Sequence, residues 1–300
     1  MKTICVDMGG TRTKVAIVED GKVGESVVFP SAPDFATTRA ELARRIRAYL
    51  EALPGNWRGL GLSTPGLVDE AAGCVTQIVG SHAGLANFDL RAWSRETFGL
   101  ELRVLNDARA ALLGEVTFGC ARGERDAVAV TLGTGVGTAV MLDGRLPRGR
   151  HNSFGLLNGH IPVKMDGRDC PCGGCGCFES YVGTSALKAL TGDPTYDYRR
   201  FEADWSRGEP RARELFDVVA RALGVGTLSL VHAYDVEAVV YTGGASRFTA
   251  LVAAAEDYVW RHVYTPWGKV RFAVSDHPEL SGILGAHAVW VERNVESVYL

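Results

Sequence analysis

The chain carries little excess charge of either sign. Its 32 lysines and arginines against 35 aspartates and glutamates leave a net charge near −3. No basic field is available to neutralise nucleic-acid phosphates, so a nucleic-acid partner is not expected. Long apolar runs are also missing: none approaches the roughly 20 residues that a membrane-crossing helix needs, and no membrane association is expected. The start, MKTICVDMGGT, has no apolar signal core and runs directly into a strand pattern, which predicts a cytoplasmic chain. Low-complexity tracts and tandem arrays are absent. What is present, 46% hydrophobic and 22% charged residues, is the composition of an ordinary globular protein, and 300 residues suit two packed lobes better than one core.

The cysteines are unevenly placed. Cys5, Cys74 and Cys120 are scattered singly, whereas His160, Cys170, Cys172 and Cys177 crowd into GHIPVKMDGRDCPCGGCGCFES. Tetrahedral zinc accepts three thiolates and one imidazole, and the interleaved Gly173, Gly174 and Gly176 supply the tight backbone that such close ligands require. Cys175 is a fifth candidate, set aside because a closed structural site is full at four ligands. A local disulfide is the rival reading; the clustering and the lack of a secretory signal oppose it. Glu179 follows closely enough for the metal loop to hold it still, and His160 can ligate through one ring nitrogen and offer the other to a ligand.

Hydrophobic period predicts strands at Lys2 to Met8, Thr13 to Glu19, Val23 to Phe29, Leu60 to Ser63 and Leu102 to Leu105. Helices are predicted at Thr37 to Leu53 and Asp107 to Phe118. A hairpin-like pair, Ala127 to Leu132 and Thr138 to Leu142, then precedes the metal loop. After the loop come helices at Glu179 to Leu190, Ala212 to Ala233, Phe248 to Val263 and Gly282 to Val291, with strands at Ala238 to Tyr241 and Val270 to Val274. Each half opens with a strand, a glycine turn and a strand.

Those turns point to phosphate. In Asp7-Met8-Gly9-Gly10-Thr11-Arg12-Thr13-Lys14 the missing side chains at Gly9 and Gly10 let backbone N–H groups approach a phosphate, and Thr11 adds a donor. Asp7 at the strand end suits a magnesium ion arriving with a nucleoside triphosphate. Gly133-Thr134-Gly135 repeats the arrangement. Thr242-Gly243-Gly244 ends an apolar strand and opens a helix, a seat for part of a nucleotide. Asp107 begins a helix and reads either as its N-cap or as a base that accepts a hydroxyl proton during phosphoryl transfer. Asn106 beside it can donate to and accept from sugar hydroxyls.

Together these residues resemble the ROK family of sugar kinases and sugar-responsive repressors. The resemblance runs nearly end to end through DMGGTRTK, STPGLVD, LNDARAALLGE, TLGTGVGTA, the zinc segment and TGGAS. It implies an α/β, actin-like ATPase (ribonuclease H-like) fold with two lobes and an interlobe cleft. On this reading residues 1–118 form the N-terminal lobe, completed by a helix at about 282–300, and 119–281 form the C-terminal lobe. ATP with Mg2+ would be held by Asp7, Gly9, Gly10, Thr11, Lys14, Gly133, Thr134, Gly135, Gly243 and Gly244. Asp107 matches the family's catalytic base, and Asn106, His160 and Glu179 match its sugar contacts, with Gly66 a further one. His160, Cys170, Cys172 and Cys177 match its structural zinc ligands. The resemblance also implies a homodimer, and the six residues ahead of the phosphate turn favour the kinase branch over the helix-turn-helix repressors. One departure stands out: where the family has Ala-Gly-Glu-x-Gly-His, this chain has Phe154-Gly155-Leu156-Leu157-Asn158-Gly159-His160. The acid is replaced by Leu156 or Leu157, with Asn158 as a substitute contact. The expected activity is ATP-dependent phosphorylation of a hexose or amino sugar. The alternatives are a sugar sensor that has lost turnover and, without support from the zinc loop, an actin-like assembly protein.

Overall fold

Residues 1–78 and 80–291 are described by a computed structural model of the chain. Strands β1 (Lys2–Met8), β2 (Arg12–Glu19) and β3 (Lys22–Pro30) form an antiparallel meander. Helix α1 (Phe35–Ala52) follows, with the Asp34 carboxylate accepting from the Thr37 N–H as its cap and Phe35, Leu42, Ile46 and Tyr49 buried along one face. Strand β4 (Leu60–Thr64) is buried at every position, as a central strand must be. A small hairpin, β5 (Leu67–Asp69) with β6 (Cys74–Gln77), and helix α2 (Leu90–Phe98) lead to β7 (Leu102–Asn106) and helix α3 (Asp107–Thr117). The first sheet has the order β3-β2-β1-β4-β7, parallel from β1 through β7.

The second sheet begins with the hairpin β8 (Ala127–Leu132) and β9 (Val136–Met141). After the metal loop come α4 (Glu179–Val182), α5 (Thr184–Thr191), α6 (Tyr198–Ser206) and α7 (Pro210–Tyr234), then β10 (Ala238–Thr242), α8 (Thr249–His262) and β11 (Arg271–Val274). Its order is β11-β10-β8-β9, with β10 parallel to both β8 and β11. Helix α9 (Ser281–Val291) ends the described chain.

Two compact units result: Met1–Arg122 with Arg145–Ser153 and the chain from Leu280 on, and Gly123–Gly144 with Phe154–Glu279. The segment Arg145–Ser153, which the sequence reading left in the C-terminal lobe, groups with unit 1. A buried charge cluster holds it there: Arg109 donates to Glu70 Oε1 at 2.9 Å and to the Pro147 carbonyl at 2.9 Å. Arg148 adds an ion pair to Glu70 at 3.6 Å. Residues 292–300 of the expected completing helix lie outside the described residues.

Three local expectations are corrected. The helix expected over Glu179 to Leu190 is broken at Gly183, whose backbone is extended (φ −62°, ψ 153°). A Cβ there would lie 2.7 Å from the Thr134 carbonyl, so the break follows from close packing on the Gly-Thr-Gly turn. Helices α2 and α6 were not anticipated; each runs only nine residues, a stretch shorter than the window over which a helical period is read along a sequence. Finally, α7 is long and apolar enough, by length and composition, to cross a membrane, although no uninterrupted run had signalled it. Of its apolar window 56% is buried, and Leu215, Val219, Leu223, Leu230 and Val231 belong to the core of unit 2.

Candidate active site

In unit 1, register places Asp7 beside Lys14 of β2 and Ser63 of β4. Ser63 Oγ donates to Asp7 Oδ1 at 2.8 Å. Gly282, in the first turn of α9, lets that helix come up to the same carboxylate: a Cβ would lie 2.7 Å from Asp7 Oδ1. Burial raises the Asp7 pKa, against the lowering effects of the Ser63 hydrogen bond and Lys14.

The turn after β1 is closed by the Gly9 N–H donating to the Arg12 carbonyl at 3.0 Å. Gly9 therefore does not offer its N–H to phosphate as the sequence reading had it. Gly10 and Thr11 remain exposed at the tip. Ser31, which no local pattern marks, fixes the turn from β3 onward: its Oγ donates to the Gly9 carbonyl at 2.7 Å and its N–H to the Thr11 carbonyl at 3.0 Å.

Asn106, not Asp107, caps α3. Its Oδ1 accepts from the Ala108 and Arg109 N–H groups at 2.9 and 3.3 Å, and its Nδ2 donates to the Gly66 carbonyl at 3.0 Å. The amide is thus largely engaged by the protein, with one N–H left over. Relieved of the cap, Asp107 stands at the first helical position with its side chain exposed, accepting from the Ala108 N–H at 2.9 Å. The surrounding protein still removes enough hydration that its pKa rises to about 6, with the Asp7 charge as the second cause. A carboxylate poised near neutrality in reach of solvent suits proton acceptance.

Unit 2 gathers the metal loop and two glycine turns. The ligand atoms of His160, Cys170, Cys172 and Cys177 lie within 4.8 Å of one another. Cys172 Sγ and Cys177 Sγ are 3.6 Å apart, as are Cys170 Sγ and His160 Nδ1. Zinc bonds of about 2.3 Å to sulfur and 2.0–2.1 Å to nitrogen at tetrahedral angles give separations of about 3.8 and 3.6 Å. The residues therefore fit zinc. Cys175 is exposed and outside the cluster. With Nδ1 turned to Cys170, His160 keeps Nε2 for another partner.

Glu179 Oε2 accepts from the Val136 N–H at 2.9 Å, while Oε1 has no partner among the described residues. The Gly133 N–H donates to the Gly135 carbonyl at 3.1 Å. Thr184 binds the Gly133 carbonyl through its N–H and hydroxyl, and the Ser185 N–H donates to the Thr134 carbonyl at 3.0 Å. Gly243 takes a left-handed φ of 85°, and a 3₁₀ turn, Gly244–Arg247, intervenes before α8, so this turn does not open directly onto the helix as expected.

Asn158 is held by the protein on both sides of its amide. It is buried, its Oδ1 accepts from the Tyr234 hydroxyl at 2.8 Å and its Nδ2 donates to the Gly155 carbonyl at 2.9 Å. Both ends of its amide are thus engaged by the protein, with one N–H left over. Leu157, which opens the 3₁₀ turn ending at His160, is 53% exposed, and Leu156 is half-buried.

These two sheets, each a glycine-turn hairpin extended by parallel strands, define a protein of the actin-like ATPase fold. The sequence matches the ROK family over residues 3–293, and the chain belongs to that family. It is 30% identical to a glucokinase of Thermotoga maritima, covering 98% of each chain, and 28% identical to an N-acetylmannosamine kinase of Vibrio vulnificus, covering 98% of this chain and 100% of that one. Among solved structures it resembles a ROK family glucokinase from Streptomyces griseus in complex with glucose and AMPPNP, at a TM-score of 0.80 and 26% identity over 95% of this chain and 98% of that one.

Proposed function

We propose that this protein is an ATP-dependent sugar kinase that transfers the γ-phosphoryl group of ATP to a hydroxyl of a hexose or amino sugar, with Asp107 as general base. The observation that carries the reading is the Asp107 carboxylate itself: freed from capping by Asn106, open to solvent and raised to about 6. Asp107 accepts the proton of the sugar hydroxyl as its oxygen bonds to phosphorus, and ADP departs with the electrons of the broken P–O bond. Most of the barrier reduction comes from positioning and charge stabilisation. Gly10, Thr11 and the Gly133–Gly135 turn approach the phosphates, and Asp7 is the carboxylate that would hold magnesium arriving with ATP, which would neutralise phosphate charge. The free N–H of Asn106, His160 Nε2 and Glu179 Oε1 are the groups left to meet sugar hydroxyls. His160, Cys170, Cys172 and Cys177 would hold a zinc ion, which would order the loop that presents His160 and Glu179. The thiolate ligands suit a cytoplasmic, reducing setting, and a homodimer is the assembly in keeping with the family.

The test is ATP-to-ADP conversion across a panel of hexoses, deoxy sugars and amino sugars. A second reading, a sugar-binding protein without turnover, draws on Leu156 and Leu157 in place of an acid and on Asn158 being engaged by Tyr234. Saturable sugar binding with no ADP release over the whole panel would decide for it.

A further inference from the structure

A cavity of 420 Å³ opens on unit 2, lined by none of the residues assigned above but by Val163 and Lys164 at the start of the metal loop, Tyr181 of α4 and Val218, Arg221, Ala222 and Val225 of α7. That volume lies in the range of small-ligand sites. Its two cations, Lys164 and Arg221, come from separate elements, and neither has an acidic partner among the described residues. The remaining wall is chiefly valine and alanine. Unneutralised positive charge over an apolar wall is complementary to an anion that carries an apolar body.

The walls are also the struts of the metal loop. The Val163 N–H donates to the Gly176 carbonyl at 2.8 Å, and Gly176 passes so close to Lys164 that a Cβ would lie 1.8 Å from its carbonyl. The Tyr181 hydroxyl accepts from the Arg168 N–H at 3.0 Å, and Tyr181 shares the single turn of α4 with Glu179. A ligand joining Lys164 to Arg221 would tie this loop to α7.

We infer that this cavity is an effector site for a small amphipathic organic anion, a carboxylate or phosphate monoester on an apolar body, and that occupancy braces the zinc loop. The inference does not depend on the sugar kinase reading, because it is read by binding. Phenyl phosphate, inorganic phosphate and phenol are titrated calorimetrically into the zinc-loaded protein. Phenyl phosphate binds with a Kd below about 1 mM, and the two fragments bind at least about tenfold more weakly. Lys164→Gln and Arg221→Gln each weaken phenyl phosphate about tenfold, the loss expected for one charge-assisted contact. Val218→Trp, at a position 44% exposed and so tolerant of a larger side chain, fills the mouth and abolishes binding while the protein stays folded. In wild type, saturating phenyl phosphate slows zinc transfer to a chelator; in Val218→Trp it does not. Equal affinity of the three variants and wild type for phenyl phosphate, equal binding of inorganic phosphate and phenyl phosphate, or no binding at all would overturn the inference.

Discussion

The two glycine turns are built on one plan and used differently. In each, a strand two residues short of its turn presents a side chain between an antiparallel and a parallel neighbour: Asp7 lies opposite Lys14 and Ser63, and Thr131 lies opposite Gly137 and Thr242. The sheet order repeats as well, β2-β1-β4-β7 in unit 1 and β9-β8-β10-β11 in unit 2. Unit 1 places a carboxylate at that position, satisfied by Ser63 and close enough to Asp107 to raise its pKa. Unit 2 places a neutral hydroxyl whose Oγ1 is buried without a partner among the described residues, and fixes its turn from outside through Thr184, Ser185 and Glu179. On the proposed function, one scaffold thus carries charge for chemistry in the first copy and geometry for holding in the second.

The largest test of that division is Asp107→Asn. It removes the proposed proton acceptor while leaving the Asn106 cap intact, so the fold and zinc content should be unchanged and kcat should fall on the order of a hundredfold or more. A variant with near-normal turnover would leave Asp107 no role in the chemistry. With Asp107 as the proposed base, the carboxylate form is the active one in the unaltered protein and is lost as pH falls through about 6. The acid limb of kcat/KM is therefore expected near pH 6, not near 4 where an unperturbed aspartate titrates. A limb near 4 would point to a different base.

On the holding side, Cys172→Ser should abolish stoichiometric zinc by elemental analysis and raise the sugar KM at least about tenfold, because removal of a metal-site partner commonly costs that much. The KM for ATP should move much less. Wild type that is metal-free and fully active would break the link between the loop and the sugar contacts.

Alanine at equivalent tips sharpens the contrast further. At Gly135 a Cβ would fall 2.0 Å from Glu179 Oε2, so Gly135→Ala should dislodge Glu179 from the Val136 N–H and raise the sugar KM several-fold. At Gly10 the nearest atoms are those of Ser81 at 3.9 Å, which leaves room for a methyl group, so Gly10→Ala should leave stability and sugar KM alone and raise only the KM for ATP. Equal effects of both changes on sugar and ATP would show that the turns do not divide the work as described.

How much of this was legible in the sequence depended on distance along the chain. The metal ligands were readable because they are local and chemically distinctive, and the glycine turns because glycine marks them. The engagement of side chains by remote partners was not readable: Ser63 binds Asp7 across parallel strands, Ser31 locks a turn many residues earlier, and Tyr234 claims Asn158 from the end of α7. Asp107 could be located but its freedom could not, because either residue of Asn106-Asp107 can cap a helix and only the structure shows Asn106 doing so. The helix break at Gly183 likewise answers a tertiary contact with Thr134 that no periodicity contains.

The smallest expected effect lies at Thr131, the counterpart of Asp7. Its hydroxyl is buried with no hydrogen-bond partner among the described residues, so Thr131→Val removes an unsatisfied polar atom at almost constant volume. Stability should hold or rise by up to about 1 kcal/mol, seen as a Tm increase of up to about 3 °C, with kcat unchanged within about twofold. The matching change on the other side, Ser63→Ala, should do the reverse. It deprives Asp7 of a donor that favours the ionised form, so Asp7 rises further, and thermal scans across pH should show the variant losing most stability towards high pH, where Asp7 is charged. If Thr131→Val instead lowers kcat tenfold, the hydroxyl meets a ligand, and the second turn takes part in the chemistry alongside the first.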